Sequence, residues 1–181
     1  MFGRDAGYPD SDDNILNFLS LPTLEALSVS FRQLHIADLV SFLERSSPPL
    51  QVLIAGEGLG SSDFIKLHRC LTLVPTVTCF EIWWPDPNIV VDLFTALADS
   101  ASLLPNLRYL TIHHVDESNI LDSSCETLIR ALSARRTELQ VVRIIFDDRP
   151  PPVDLLDALR KLVADGMEIY IGTKERNYIV T

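Results

Sequence analysis

The chain has 181 residues, of which 47% are hydrophobic and 22% are charged, and it carries a formal net charge of −10 at pH 7. This length fits one domain with a sizeable core, and the composition excludes a disordered chain. The acidic balance, with a pI near 4.7, argues against nucleic acid or an anionic membrane as the main partner, because both are bound through basic surfaces.

The N-terminus and the cysteines bear on where the protein resides. Residues 1–13 are polar, lack the apolar core of a signal peptide, and are predicted to form a disordered acidic leader. The apolar runs of the chain are far shorter than the roughly 18 residues that a membrane helix needs. Cys70, Cys79 and Cys125 form no CxxC pair, and their odd number does not make a disulfide framework. These features predict a soluble protein of the cytoplasm or nucleus with reduced, mostly buried thiols.

A short motif recurs along the chain after this leader. In the copy PNLRYLTIHH, Leu107 is followed by apolar residues three and five positions later, at Leu110 and Ile112. The second copy has the smaller Ala55 in the last place, and a weak sixth copy has Gly166 in the first. The copies lie about 26 to 32 residues apart and begin at Leu24, Leu50, Val77, Leu107, Leu139 and Gly166. This period indicates one repeated structural unit.

Helical patterns fill the segments between the copies. Ser62 or Asp63 can cap the second helix, Arg135 and Arg136 suit the C-terminal dipole of the fourth, and Gly166 suits the end of the fifth. The predicted helices cover Ile36–Ser46, Ser61–Val74, Asn88–Ala101, Ser123–Arg136 and Val153–Gly166.

Each unit therefore consists of a short strand, a loop, a helix and a return, which is the pattern of leucine-rich repeats. One unit cannot bury its apolar face alone, whereas stacked neighbours can. The first, fourth and sixth positions of each copy point into the core, and the third, fifth and seventh point to the other face. We expect an α/β leucine-rich-repeat solenoid of about five to six irregular repeats over residues 14–173, followed by a C-terminal tail at 174–181. Its parallel sheet lies on the concave side and its helices lie on the convex side.

The repeats also resemble a known family. The LPxLxxLxI openings, the Pro-Thr-Leu and Pro-Asn-Leu leads, and the closing LVADGMEIYIGTKERN are similar to the C-terminal part of fungal F-box proteins with degenerate leucine-rich repeats. In that family an N-terminal F-box docks on the adaptor of a cullin-type ubiquitin ligase, and the repeats present a surface for substrates. No F-box-like LPxEIxxxIF bundle precedes the first repeat, and the residues before Leu21 are too few to hold one. The resemblance therefore implies a substrate-recognition region, with a ligase adaptor as partner only if an F-box lies upstream of this chain.

Three short segments could instead carry chemistry. HHVDE, from His113 to Glu117, could begin a metal site, but neighbouring residues of a strand point to opposite faces and converge poorly on one ion. FDDRPPP, at 146–152, pairs carboxylates that could act in acid–base chemistry or line a strand-to-helix loop. GEGLGSSD, at 56–63, resembles a phosphate-binding turn but lacks the GxGxxG spacing and the Lys-Ser/Thr of a P-loop. We favour loop and turn roles for all three and expect no metal, cofactor or catalytic residue.

The segment WWPDP, from Trp83 to Pro87, favours a binding surface. Two adjacent tryptophans at a strand end cannot both lie in the core, and the register predicts that Trp83 points to the concave side while Trp84 points inward. Trp83 is then either an anchor for a partner or a side chain covered by a neighbouring loop.

The concave face is therefore the predicted site, since aromatic and arginine side chains are enriched in surfaces that bind proteins. We predict that a protein partner, rather than nucleic acid or a membrane, binds there through Glu81, Trp83, Tyr109, Thr111, His113, Arg143 and Tyr170. The predicted function is protein–protein interaction, resembling the substrate-recognition repeats of an F-box subunit. One alternative is a stand-alone leucine-rich-repeat scaffold or regulator without a ubiquitin link. The other is an α/β enzyme, whose strand order would reverse to make a ligand crevice.

Overall fold

The computed structural model describes residues 15–115, 124–146, 153–173 and 175–179, so the predicted leader at 1–13 lies outside the described residues. Strands and helices alternate along the described part of the chain. The strands are β1 (Ala26–Val29), β2 (Val52–Ala55), β3 (Cys79–Trp83), β4 (Tyr109–Val115), β5 (Val141–Phe146) and β6 (Glu168–Gly172). The helices are α1 (Ile36–Ser46), α2 (Phe64–Leu73), α3 (Pro87–Asp99), α4 (Ser124–Ala134) and α5 (Val153–Ala164). Short 3-10 turns lie at Ile15–Asn17 and Ser61–Asp63.

Within the described residues the six strands form one sheet, parallel throughout and ordered β1 to β6 as in the chain. The fourth positions of the predicted copies are aligned across it, as Leu27, Leu53, Phe80, Leu110, Val142 and Ile169. The sixth positions are aligned in the same way, as Val29, Ala55, Ile82, Ile112, Ile144 and Ile171. The sequence spacing therefore predicted the register of the sheet correctly.

One hydrogen-bond geometry recurs where successive units meet. The N–H groups of Gln51 and Val52 both donate to the carbonyl of Glu25, over 2.7 and 3.0 Å. The same paired donation occurs from Thr78 and Cys79 to Gln51, from Arg108 and Tyr109 to Thr78, and from Gln140 and Val141 to Arg108. The residues at the start of these strands thus donate to the same position of the preceding unit. These hydrogen bonds align the starts of neighbouring strands.

One face of the sheet packs on a layer of helices. The two aligned apolar rows share a hydrophobic core with the inward sides of the helices, and each helix contacts the next one along the chain. The strand residues of these rows are almost fully buried from β2 to β6, whereas Leu27 and Val29 of the edge strand β1 are half-buried. The described chain is therefore a two-layer α/β protein with a single parallel sheet, compatible with a solenoid-like fold.

The helix bounds agree with the prediction to within three residues at each end. The helix α1 has the predicted bounds, and Gly166 adopts a left-handed φ of 102° just after α5, as a helix end favours. Helix α3 begins one residue earlier than predicted, since the Asp86 carboxylate accepts the N–H of Asn88 at 2.9 Å and caps it. Asp63 precedes α2, but its carboxylate accepts the N–H of Gly60 at 3.0 Å and does not cap the helix.

Arg135 is a buried cation that joins α4 to the end of α3. Its side chain is only 6% exposed, and its Nε donates to the carbonyl of Leu97 at 3.0 Å. A terminal nitrogen donates to the carbonyls of Ser100 and Leu103, at 2.5 and 2.6 Å. Burial lowers the pKa of the Arg135 guanidinium, and the nearby Glu138 carboxylate opposes that shift. Arg135 follows the C-terminus of α4, where it was predicted to suit the helix dipole, and the carbonyls that it satisfies belong to the preceding unit.

The two edges of the sheet differ. Beside β6, residues 175–179 turn back, and Asn177 forms an antiparallel bridge with Gly172. This part of the predicted C-terminal tail therefore packs against the sheet. Before β1 the turn at Ile15–Asn17 contacts α1, and Ile15 and Phe18 are 69% and 73% exposed.

Replacing Arg135 with Ala is expected to lower the free energy of unfolding by about 2–4 kcal/mol, because three buried or partly buried carbonyls lose a charged donor. Arg135→Lys should fall between Ala and the parent, since it keeps the charge but lacks the planar fork. Denaturant unfolding measures both effects. The control is Arg136→Ala at the exposed neighbour, for which we expect a change within about 0.5 kcal/mol. Equal losses at positions 135 and 136 would contradict this role of Arg135.

Candidate functional site

The face of the sheet that points away from the helices carries every predicted site residue. We call it the open face and define it by the residues that alternate with the core rows. Its first row is Ala26, Val52, Cys79, Tyr109, Val141 and Glu168. Its second row is Ser28, Ile54, Glu81, Thr111, Arg143 and Tyr170, and its third is Trp83, His113 and Ile145. All of these side chains are exposed or half-buried.

The parallel register brings the seven predicted residues into two groups. Four of them are consecutive in the second row, in the order Glu81, Thr111, Arg143 and Tyr170. The other three lie on β3 and β4, where Trp83 is directly opposite His113 in the third row and Tyr109 is at the start of β4. The predicted residues are therefore neighbours on one surface and are not scattered around the molecule.

An aromatic cluster occupies the C-terminal ends of β3 and β4. The rings of Trp83 and His113 are stacked, with centroids 3.8 Å apart and planes 15° from parallel. The rings of Trp84 and His114 repeat this arrangement, at 3.9 Å and 4°. The two tryptophan rings are themselves 5.9 Å apart. These four rings form one connected group, in which Trp84 is 46% exposed, and we call them the aromatic cluster.

The positions of Trp84 and His114 differ from the prediction. Strict alternation predicted that Trp84 points inward and that His113 and His114 lie on opposite faces, and both predictions were wrong. Trp84 and His114 adopt left-handed φ angles of 48° and 57°, and the β4–β5 register shifts between His113 and Val115. Alternation along the strand stops where such a residue turns the backbone. Pro85 after Trp84 is a signal that could have ended the strand at Trp83, because proline has no N–H for the ladder.

Two carboxylates of the open face each lie close to a nitrogen of a neighbouring side chain. The Glu81 carboxylate lies 3.6 Å from Nε2 of His113, and both side chains are largely shielded, at 28% and 14% exposure. A terminal nitrogen of Arg143 lies 3.6 Å from the Glu168 carboxylate, and both of these side chains are more than half exposed. The first pair is therefore fixed by its surroundings, whereas the second is a solvated surface contact.

The hydroxyl of Tyr170 is oriented by the chain end. It donates to the carbonyl of Thr173 at 2.5 Å, which is the point where the chain leaves β6. Its half-buried ring lies next to Arg143 in the second row. The hydroxyl of Tyr170 is thus bound to the C-terminal turn, while the residue lies in the second row of the open face.

The glycines of the segment GEGLGSSD bring two loops into close contact. Gly58 has a φ of 105°, and a Cβ added there would lie 2.5 Å from the backbone carbon of Phe31. A Cβ on Gly56 would lie 2.8 Å from the carbonyl oxygen of Val29. In addition, the N–H of Phe31 donates to the Glu57 carbonyl at 2.7 Å. Glycine is therefore required at positions 56 and 58 so that successive strand-to-helix loops can pack closely.

The other segments with possible chemistry are described only in part. Asp116 and Glu117 of HHVDE, and positions 147–152 of FDDRPPP, lie outside the described residues. Within the described ranges, no group of three or more His, Cys, Asp or Glu side chains is placed to hold a metal ion. The two imidazole rings of HHVDE stack on indoles in the aromatic cluster.

Cys70 and Cys79 form no disulfide bond, and both have raised pKa values. Burial raises the pKa of Cys70 to about 12. Desolvation, and then the Glu81 carboxylate, raise the pKa of Cys79. Both shifts favour the neutral thiol, whereas a cysteine nucleophile needs the thiolate.

A separate cleft of about 320 Å³ lies away from the open face. It is lined by Arg136, Thr137, Leu162, Asp165 and Met167, at the C-terminal ends of α4 and α5. None of the predicted site residues contributes to it. The open face remains the surface where the aromatic and charged side chains converge.

Comparison of the chain with protein-family models, curated proteins and solved structures finds no match. Among the described helices, none is both long enough and apolar enough to cross a membrane. Inference about function therefore depends on the open face itself.

Replacing Gly58 with Ala is expected to lower the free energy of unfolding by about 1–3 kcal/mol, because the new Cβ meets the Phe31 backbone at a left-handed φ. Gly60→Ala is the matched control, since its φ is −93° and the nearest atom to an added Cβ is 3.6 Å away. We expect that control to stay within about 0.5 kcal/mol of the parent in denaturant unfolding. Similar losses in both variants would contradict the packing role of Gly58.

Cys70 is expected to resist alkylation in the folded protein. With a pKa raised from 9.0 to about 12, its thiolate fraction at pH 8 is roughly a thousandfold smaller than in the unfolded chain. Iodoacetamide labelling followed by peptide mass spectrometry should show Cys70 modified only after denaturation. The same shift makes stability fall as the pH rises above 9, because the unfolded chain loses a proton that the folded chain keeps. Rapid labelling of Cys70 in the native protein would contradict its burial.

Proposed function

We propose that this chain is a leucine-rich-repeat protein whose open face binds a protein partner, in the manner of the substrate-recognition repeats of an F-box subunit. Support for the repeat type comes from the aligned L-x-x-L-x-L positions and from the recurring hydrogen bonds between units. Each of the first five units contributes one strand and one helix, the sixth contributes β6, and the strand order follows the chain without reversal in the described sheet. A doubly wound enzyme would instead place a ligand crevice where that order reverses.

The observation that carries the proposal is the concentration of exposed aromatic and arginine side chains on one face. Trp84 and Tyr109 are 46% and 44% exposed, and Arg143 is an exposed residue of β5, one row away from His113 on the neighbouring strand β4. Trp, Tyr and Arg are the residues that most often dominate the affinity of protein interfaces. Side chains on this face have no helix layer to pack against, so recognition is the role that their exposure favours.

The proposal also includes a link to ubiquitin ligases. Under the family resemblance, substrates would bind the open face and an F-box upstream of Met1 would recruit the ligase adaptor. Sequencing the transcript that encodes this chain distinguishes the forms. An in-frame F-box upstream supports ligase recruitment, whereas its absence supports a stand-alone scaffold or regulator.

Trp83→Ala and Arg143→Ala are each expected to weaken partner binding by at least about tenfold, because anchoring Trp and Arg side chains at interface centres have effects of this size. The measurement is quantitative pull-down of partners, followed by affinity determination for each one identified. The controls on the helix layer are Ile65→Ala, at an 82% exposed side chain of α2, and Arg130→Ala on α4. Binding that is unchanged in both open-face variants, or lost equally in the controls, would contradict the proposal.

A further inference from the structure

Glu81 lies in the middle of the open face, where its carboxylate is 3.6 Å from Nε2 of His113 and its other neighbours are mainly apolar or aromatic. In its row it has Ile54 of β2 on one side and Thr111 of β4 on the other. Along β3 its neighbours on the same face are Cys79 and Trp83. A carboxylate in such surroundings is partly shielded from water, so its attraction for a cation is screened less than that of a fully solvated one.

The charge of the open face favours a basic partner at this point. Among its described side chains, Arg143 is the one Lys or Arg, and it is already close to the Glu168 carboxylate on the far side of the sheet. Glu81 is the carboxylate on the aromatic side of the face. The whole chain has a net charge of −10, so its field attracts a basic segment and repels an acidic one.

The aromatic cluster supplies the second half of a site for a long cationic side chain. The indole of Trp83 is held by its stack on His113, within two residues of Glu81 on the same strand. Indole faces attract Lys and Arg cations and also pack well against their aliphatic stems. On the other side of Glu81, Val52 and Ile54 of β2 offer apolar surface that suits an apolar neighbour of that basic residue.

We propose that the open face binds a protein segment in which a Lys or Arg lies next to apolar residues, with its cation at Glu81 and its stem along Trp83. This inference rests on the proposed function, that the open face binds protein. It adds the chemical class of the partner and names Glu81 as the residue that selects for it.

The test is peptide display. A random peptide library is selected on the wild-type protein, and the enriched peptides are then measured against Glu81→Gln and Glu81→Lys. We expect Lys or Arg beside apolar residues to be enriched, and the selected peptides to bind Glu81→Gln at least about tenfold more weakly. Binding should also weaken with added salt. Selection on Glu81→Lys should enrich acidic peptides instead.

The matched control is Glu126→Gln, at an exposed glutamate of α4 on the helix layer. It makes the same change in net charge and should bind the selected peptides as the parent does. Equal weakening by Glu81→Gln and Glu126→Gln would assign the effect to net charge and overturn the inference. Neutral or acidic peptides that bind in a Trp83-dependent way would overturn it too, while leaving the proposed function intact. If no peptide is enriched, the inference fails, and the Trp83→Ala and Arg143→Ala pull-downs decide separately on the proposed function.

Discussion

Burial of two aligned apolar rows against the helix layer is the interaction on which the rest of the structure depends. One row runs from Leu27 to Ile169 and the other from Val29 to Ile171. Each fully buried side chain of this size contributes about 1.5–3 kcal/mol, and no single unit could bury its own. A slip of one residue in any strand would expose that strand's part of both rows and would press residues such as Glu81 into the core. The core therefore fixes the register of the sheet.

The same register decides which side chains meet on the open face. Trp83 stacks on His113 because Ile82 and Ile112 are aligned in the core one residue earlier. The repeat lengths vary, but this variation is taken up in loops and helices and leaves the strand alignment unchanged. The open face is thus a consequence of core packing. Its composition is free to differ from strand to strand, since its side chains alternate with those that hold the fold.

Structural features that recur in every unit could be predicted from the sequence, whereas features that occur in a single unit could not. The spacing of Leu107, Leu110 and Ile112 recurs along the chain, so register, strand faces and most helix bounds follow from it. The left-handed residues Trp84 and His114 have no such repetition, and a bulky residue in this conformation costs about 1–3 kcal/mol unless its surroundings stabilise it. That stabilisation comes from rings in the neighbouring unit. Arg135 is a similar case, because its partners lie more than thirty residues earlier in the chain, beyond the reach of local patterns.

The two parts of the open face should contribute differently to binding. The rings of the aromatic cluster are already held by stacking, so little conformational freedom remains to be lost when a partner covers them. Arg143 and Glu168 are exposed and solvated, and ordering their long side chains at an interface costs more. Affinity should therefore come mainly from the aromatic end of β3 and β4, where apolar area is large and fixed. The charges beside it act chiefly on specificity, since leaving a charge unpaired at an interface loses more binding free energy than pairing it adds. They also affect the rate of association.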